Sequence, residues 1–238
     1  MRWEYGEAYK RHDMAGEIRL PNDSVVQVCD WTAEMPDFMR RADTIFVDPP
    51  WNMGNVRTFY TKAEKDRPGI DFPAFSGHLW RRLDDIRPAT LFVEMGKEYL
   101  ADYLMAAKER YKYVTFYNST YYRRRENKCY VIHATNDFQT RRYAELEDKD
   151  EAEIIAWVAA NHPYGCIGDL CMGQGLIGKR AYDNGRSFVG TELNYKRLAV
   201  LVDYIAIRER MRQPMCTVEA PGTPVSSPAT DPGSVASS

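Results

Sequence analysis

Apolar residues along this chain fall into short unbroken runs separated by stretches with helical spacing. Residues 25–29 and 44–47 are such runs, closed by Asp30 and Asp48. Without apolar–polar alternation they read as strands covered on both faces, as in a parallel sheet. Residues 90–94, 165–170 and 187–191 predict further strands. Phe75, Leu79, Leu83 and Ile86 recur every three to four positions, which predicts a helix over 72–87, ended by Pro88. Similar spacing predicts helices over 99–110, 150–161, 176–184 and 195–211. The β-rich stretches 111–122 and 128–135 flank a charged turn and predict a hairpin. Strands alternating with helices imply an α/β fold: a mostly parallel central sheet, helices on both faces, and the hairpin.

Composition narrows the class. The chain has 238 residues, 44% hydrophobic and 13% aromatic, which excludes disorder of the chain as a whole. Lys and Arg number 32 against 34 Asp and Glu, so a nucleic-acid partner has to be met by a local basic patch. The cysteines are Cys29, Cys129, Cys166, Cys171 and Cys216, an odd number without C-x-x-C, so neither a disulfide framework nor a structural zinc site is expected. The first residues are charged and no apolar run is long enough to cross a bilayer, so a cytoplasmic protein without a membrane partner is expected. Residues 213–238 are rich in Pro, Ser, Gly and Thr and predict a low-complexity disordered tail behind one domain, 1–212. His12, His78, His133 and His162 form no triad or metal pattern, and no metal is expected.

One strand ends in Asp48-Pro49-Pro50-Trp51. The two prolines fix the backbone and remove two N–H donors. What remains is a carboxylate, free carbonyl oxygens and an aromatic ring, a set that suits a flat substrate bringing its own N–H groups. The exocyclic amine of a nucleobase meets both needs. Its lone pair is delocalised into the ring, and two acceptors on its N–H bonds favour a pyramidal, nucleophilic nitrogen. Asp48 and the Pro49 carbonyl can supply those acceptors, and Trp51 can stack on a flipped base. A strand end with a Pro-Pro turn and a core tryptophan is the plainer alternative.

Residues 168–175 close a strand and open a helix, and Gly173, Gly175 and Gly178 spell G-x-G-x-x-G. Glu192 ends the next strand, at about the separation where a carboxylate meets a ribose hydroxyl pair. A ribose-bearing cofactor fits. A dinucleotide fold would need further strand–helix units, whereas here one helix follows. A tight turn in an α/β core is the alternative.

Together the two sites resemble the S-adenosylmethionine-dependent DNA amino-methyltransferases of the permuted β-type order, in which D-P-P-[YW] precedes D-x-x-x-G-x-G. Asp48-Pro49-Pro50-Trp51-Asn52 resembles the first motif, in its D-P-P-W form, and residues 169–175 the second; Phe188-Val189-Gly190-Thr191-Glu192 is similar to the family's next strand. The resemblance covers about 23–208. It implies a Rossmann-like methyltransferase fold and S-adenosylmethionine as cofactor. Asp48, Pro49, Pro50 and Trp51 would be catalytic, and Asp30, Asp169, Cys171, Gly173, Gly175 and Glu192 would bind the cofactor. The reaction implied is methyl transfer to adenine N6 in DNA, as in restriction-modification enzymes. Cytosine N4, RNA adenine and a non-catalytic nucleic-acid-binding subunit are the alternatives. Leu170, Cys171, Gln174 and Leu176 depart from the family's usual residues.

Arg123, Arg124, Arg125 and Lys128 lie between tyrosine-rich strands in the segment 111–148, a basic tip suited to phosphate contact; a solvated charged turn is the alternative. Residues 55–68, with Arg57, follow the D-P-P-W run and read as a polar loop able to act as a lid over the target base. No large recognition segment separates the two sites. A short or loose target sequence is expected, with a homodimer as one way to read it.

Overall fold

Neighbouring residues of the central strands belong to opposite cores. Ile45 and Val47 pack with Leu91 and Val93 on one side of the sheet, while Phe46 and Phe92 stack on the other at 5.8 Å. Both faces are therefore apolar, which accounts for the unbroken runs in sequence. The computed structural model describes residues 5–212; the expected tail and Cys216 lie outside the described residues.

Among the described residues nine strands form one sheet: β1 (Glu17–Leu20), β2 (Ser24–Val28), β3 (Thr44–Val47), β4 (Thr90–Met95), β5 (Tyr113–Thr120), β6 (Lys128–Thr135), β7 (Lys149–Asp150), β8 (Cys166–Asp169) and β9 (Ser187–Glu192). Their order is β1-β2-β9-β8-β3-β4-β6-β5-β7. The block β2-β9-β8-β3-β4 is parallel throughout, and the hairpin β5–β6 joins it antiparallel through β4. Helices α1 (Met53–Lys62), α2 (Phe72–Ile86) and α3 (Leu100–Lys108) cover one face, and α4 (Glu151–Asn161), α5 (Leu176–Asp183) and α6 (Tyr195–Arg212) the other. This is the expected α/β class, a mostly parallel sheet with helices on both faces.

The polar loop expected over 55–68 is a helix for most of its length. Asn52 caps it by accepting from the Asn55 N–H at 3.0 Å, and Val56 and Tyr60, one turn apart, enter the core. Only those two side chains are buried, so the apolar stripe is too thin to stand out in sequence. Strand β1 was also not expected; it lies at the sheet edge, joined to β2 by a turn with Asn22 and Asp23 in the left-handed region.

Candidate active site

Five carboxyl groups line up along one edge of the sheet, each supplied by a different strand. Asp30 follows β2, Glu192 ends β9, Asp169 ends β8, Asp48 follows β3, and Glu94 lies near the end of β4. In an open parallel sheet this carboxyl edge is where ligands bind. Three cavities open along it, and Asp48 lines all three.

The first cavity is bounded by Asp30, Trp31, Phe59, Phe75, Leu170, Cys171 and Glu192. Its walls are largely apolar and aromatic, with the carboxyl groups of Asp30, Asp48 and Glu192 among them. Asp30 accepts from the Thr32 backbone N–H at 3.0 Å and from the Tyr60 hydroxyl at 2.8 Å, so it both caps its turn and faces the cavity. Glu192 accepts from the Gly173 N–H at 2.6 Å and the Asn194 N–H at 2.9 Å, fastening the glycine turn to the start of α6.

The second cavity, about 320 Å³, runs under the glycine turn past Asp169, Cys171, Gly173 and Gln174 to Glu94 and Glu151. Asp169 accepts from the Cys171 N–H at 2.8 Å. Burial holds its carboxyl well above the usual range, and likewise the Cys171 thiol. The glycines serve packing as well as access. Gly173 (φ +56°) and Gly175 (φ +73°) are left-handed, and a Cβ would come within 2.6 Å of the Arg197 guanidinium at the first and of Leu201 at the second. Gly175 faces α6 and lines none of the three cavities.

The third cavity, about 190 Å³, is framed by Asp48, Pro49, Pro50, Trp51, Asn55, Phe59, Glu94, Tyr121, Tyr122 and Glu151. The Trp51 indole N–H donates to Asp48 Oδ1 at 2.8 Å, and the ring meets Tyr121 edge-on at 5.3 Å. Burial pushes Asp48 up to about 7; the Trp51 hydrogen bond and Arg197 pull against that, and Glu151 adds to it. Solvent reaching Asp48 through the cavities screens part of the shift. Glu151, at the start of α4, is also raised, first by burial.

The hairpin tip overhangs this end. Tyr122 and Arg123 are consecutive left-handed residues (φ +58° and +54°), and the Arg123 N–H donates to Asp150, the residue that caps α4, at 2.8 Å. Such backbone is held only where its surroundings over-determine it. Arg123, Arg124, Arg125 and Lys128 are exposed, as is Arg57 on the outer side of α1.

Asp30, Asp48, Asp169, Cys171, Gly173 and Glu192 are thus brought to one crevice, while the expected basic residues stand outside it. Glu94, Glu151 and Arg197 were not singled out as site residues by sequence. Glu94 carried the one available signal, a charge inside an otherwise apolar run.

No protein-family model matches the sequence, and no curated protein sequence does. Solved structures do match the fold. M1.HpyAVI aligns with a TM-score of 0.53 at 14% identity, over 76% of this chain and 98% of its own. A Thermus thermophilus protein described as a putative DNA modification methylase, complexed with S-adenosyl-L-methionine, aligns at 0.53 and 12% identity, over 79% and 95%. The PvuII DNA methyltransferase, cytosine-N4-specific, aligns at 0.56 and 8% identity, over 81% and 90%. The chain shares the Rossmann-like fold of these methyltransferases.

Proposed function

We propose that this chain is an S-adenosylmethionine-dependent DNA methyltransferase acting on the exocyclic amine of adenine. The observation that carries this reading is Asp48, which lines both the cavities along the glycine turn and the cavity under the aromatic tip. A group that lines both spaces can hold an acceptor atom against a donor molecule.

The residues present fit the cofactor. The apolar cavity lined by Asp30 and Glu192 suits an adenine ring and a ribose diol, each of which brings donors to a carboxylate. Asp169, Gly173 and Gln174 line the continuation where the amino-acid end would lie, with Lys179 and Arg197 as cations for its carboxylate. When bound, the cofactor supplies a methyl group already activated on a cationic sulfur.

The rest is the work of this chain. Asp48 and the Pro49 carbonyl accept the two amine N–H bonds and turn the nitrogen lone pair toward the methyl carbon. The amine would take the methyl group as the cofactor sulfur leaves with the bonding electrons, and Asp48 would accept the surplus amine proton. Catalysis is positioning and charge placement, with no covalent intermediate. The exposed arginines of the tip and Arg57 flank the base-side cavity and suit a phosphate backbone.

The test is incubation with S-adenosylmethionine and unmethylated duplex DNA, digestion to nucleosides and mass spectrometry, with Asp48→Ala alongside. N6-methyladenine from the wild type, reduced at least about a hundredfold in the variant, is expected. N4-methylcytosine would keep the mechanism and change the base. Product on RNA alone would change the substrate. No product on either would overturn the reading in favour of a non-catalytic binding subunit.

A further inference from the structure

Glu94 stands buried with the Glu151 carboxyl and the Cys129 thiol as its near polar neighbours, and neither is placed to complete a hydrogen bond with it. Its side chain is 1% exposed, and neither carboxyl oxygen has a hydrogen-bond partner. Buried polar groups are almost always paired, and an unpaired one points to a ligand that completes it. The register of β3 and β4 pairs Val47 with Val93, which sets Glu94 beside Asp48. It lines the base-side cavity with Trp51, Tyr121 and Tyr122, and also the cavity under the glycine turn.

We propose that Glu94 reads the target base, donating its carboxyl O–H to the ring nitrogen next to the exocyclic amine held by Asp48. The inference rests on the function proposed above and adds a residue to it. Strand order favours the base over the cofactor as the partner. The cofactor-side acids Asp169, Glu192 and Asp30 lie on β8, β9 and β2, and β4 is on the other side of β3 from all of them. The groups facing Glu94 are Asp48 from β3, Glu151 from α4 and the Cys129 thiol from β6. Burial first, then the charges of Asp48 and Glu151, hold Glu94 well above the usual carboxyl range.

A neutral carboxyl offers one donor and one acceptor. An amino base presents an N–H and, beside it, a ring nitrogen with a lone pair. Asp48 takes the first and the Glu94 hydroxyl meets the second. On the Watson–Crick edge a keto base places an oxygen opposite Asp48 and an N–H opposite the Glu94 hydroxyl, so both contacts turn repulsive; on the other edge of a keto purine only the Asp48 contact does. The pair thus selects amino bases over keto bases before any chemistry occurs.

The test uses full-length protein and duplexes whose target adenine is replaced by 1-deazaadenine or 7-deazaadenine, each lacking one ring nitrogen. Methyl-transfer kcat/KM is measured for the wild type, Glu94→Gln, which keeps an N–H donor, and Glu94→Leu, which fills the space without one. One analogue is expected to react about tenfold or more slowly than adenine with the wild type and with Glu94→Gln. Glu94→Leu is expected to treat that analogue and adenine within about threefold of each other. Which analogue fails tells which ring edge is read. Equal penalties in the wild type and Glu94→Leu would overturn the proposal while leaving the function intact, as would wild-type indifference to both analogues. If the wild type methylates neither unmodified DNA nor RNA, the function reading fails and this proposal with it.

Discussion

Trp51 is tied to Asp48, the carboxylate three residues before it, through its indole N–H at 2.8 Å. A Cβ at Gly96 would fall 2.8 Å from the indole, so the backbone there covers part of the ring. Trp51 is thereby a hydrogen-bond donor to the candidate catalytic acid as well as an aromatic surface.

That bond sets a pH dependence. Under the proposed function Asp48 accepts an amine N–H as the carboxylate; burial pushes it toward about 7 before solvent screening, and the Trp51 donor lowers it. Wild-type kcat/KM is therefore expected to rise with pH through a midpoint above the usual carboxylate range and at or below about 7, and to fall as Asp48 takes up a proton on the acid side. Trp51→Phe removes the donor, so the midpoint moves to higher pH, with about a tenfold loss below it per unit moved. Asp48, Glu94 and Glu151 interact, so the observed midpoint belongs to the group. A pH profile of both proteins decides it. An unmoved midpoint with a uniform loss would mean that Trp51 acts by stacking alone.

Under the proposed function, changes at the hairpin tip are expected to affect nucleic-acid binding and leave cofactor binding alone. Arg123, Arg124 and Arg125 are exposed and line none of the three cavities. Replacing all three by alanine leaves the Arg123 backbone bond to Asp150 in place. The slope of log K against log salt for duplex DNA is expected to shrink by up to roughly 2.7, from about 0.9 for each phosphate no longer neutralised. Cofactor affinity by calorimetry should stay within about twofold. An unchanged salt slope would remove the tip from the interface.

Gly175 is a matter of stability. Its φ is +73°, and a Cβ there would lie 2.6 Å from the Cβ of Leu201. Gly175→Ala is expected to destabilise by about 2–4 kcal/mol through left-handed strain and overpacking. That lowers Tm by roughly 5–12 °C in a chain of this size. Adding Leu201→Ala should recover part of the loss relative to the sum of the two single changes. Strict additivity in the melting data would show that the two positions do not press on each other.

The parts of this molecule that showed in sequence are those in which one face or one motif decides the outcome. The buried strands and the helices α2 and α6 carry long apolar patterns, and each appears within a few residues of its expected span. Helix α1 was hidden because its buried stripe is two residues, Val56 and Tyr60; the Asn52 cap was the remaining signal. Glu94 could be placed on its strand but not given a role, since its meaning depends on β4 lying beside β3, a long-range pairing. Arg197 reads as an ordinary charge on the last helix. Only the fold of α6 against the glycine turn brings it into the cavities.

The row of strand-end acids works as a ruler. From Asp30 to Glu94 there are four strand-to-strand steps, and each is fixed near 4.8 Å by backbone hydrogen bonds, a span of about 19 Å. Only Asp30 and Asp48 stand just past the last residue of their strands. Under the proposed function, the separation of the cofactor-side acids from the base-side acids is set by the lattice of the sheet, while the address on the nucleic acid is set by the hairpin tip and the start of α1. Evolution or an engineer can rewrite the address without recalibrating the distance.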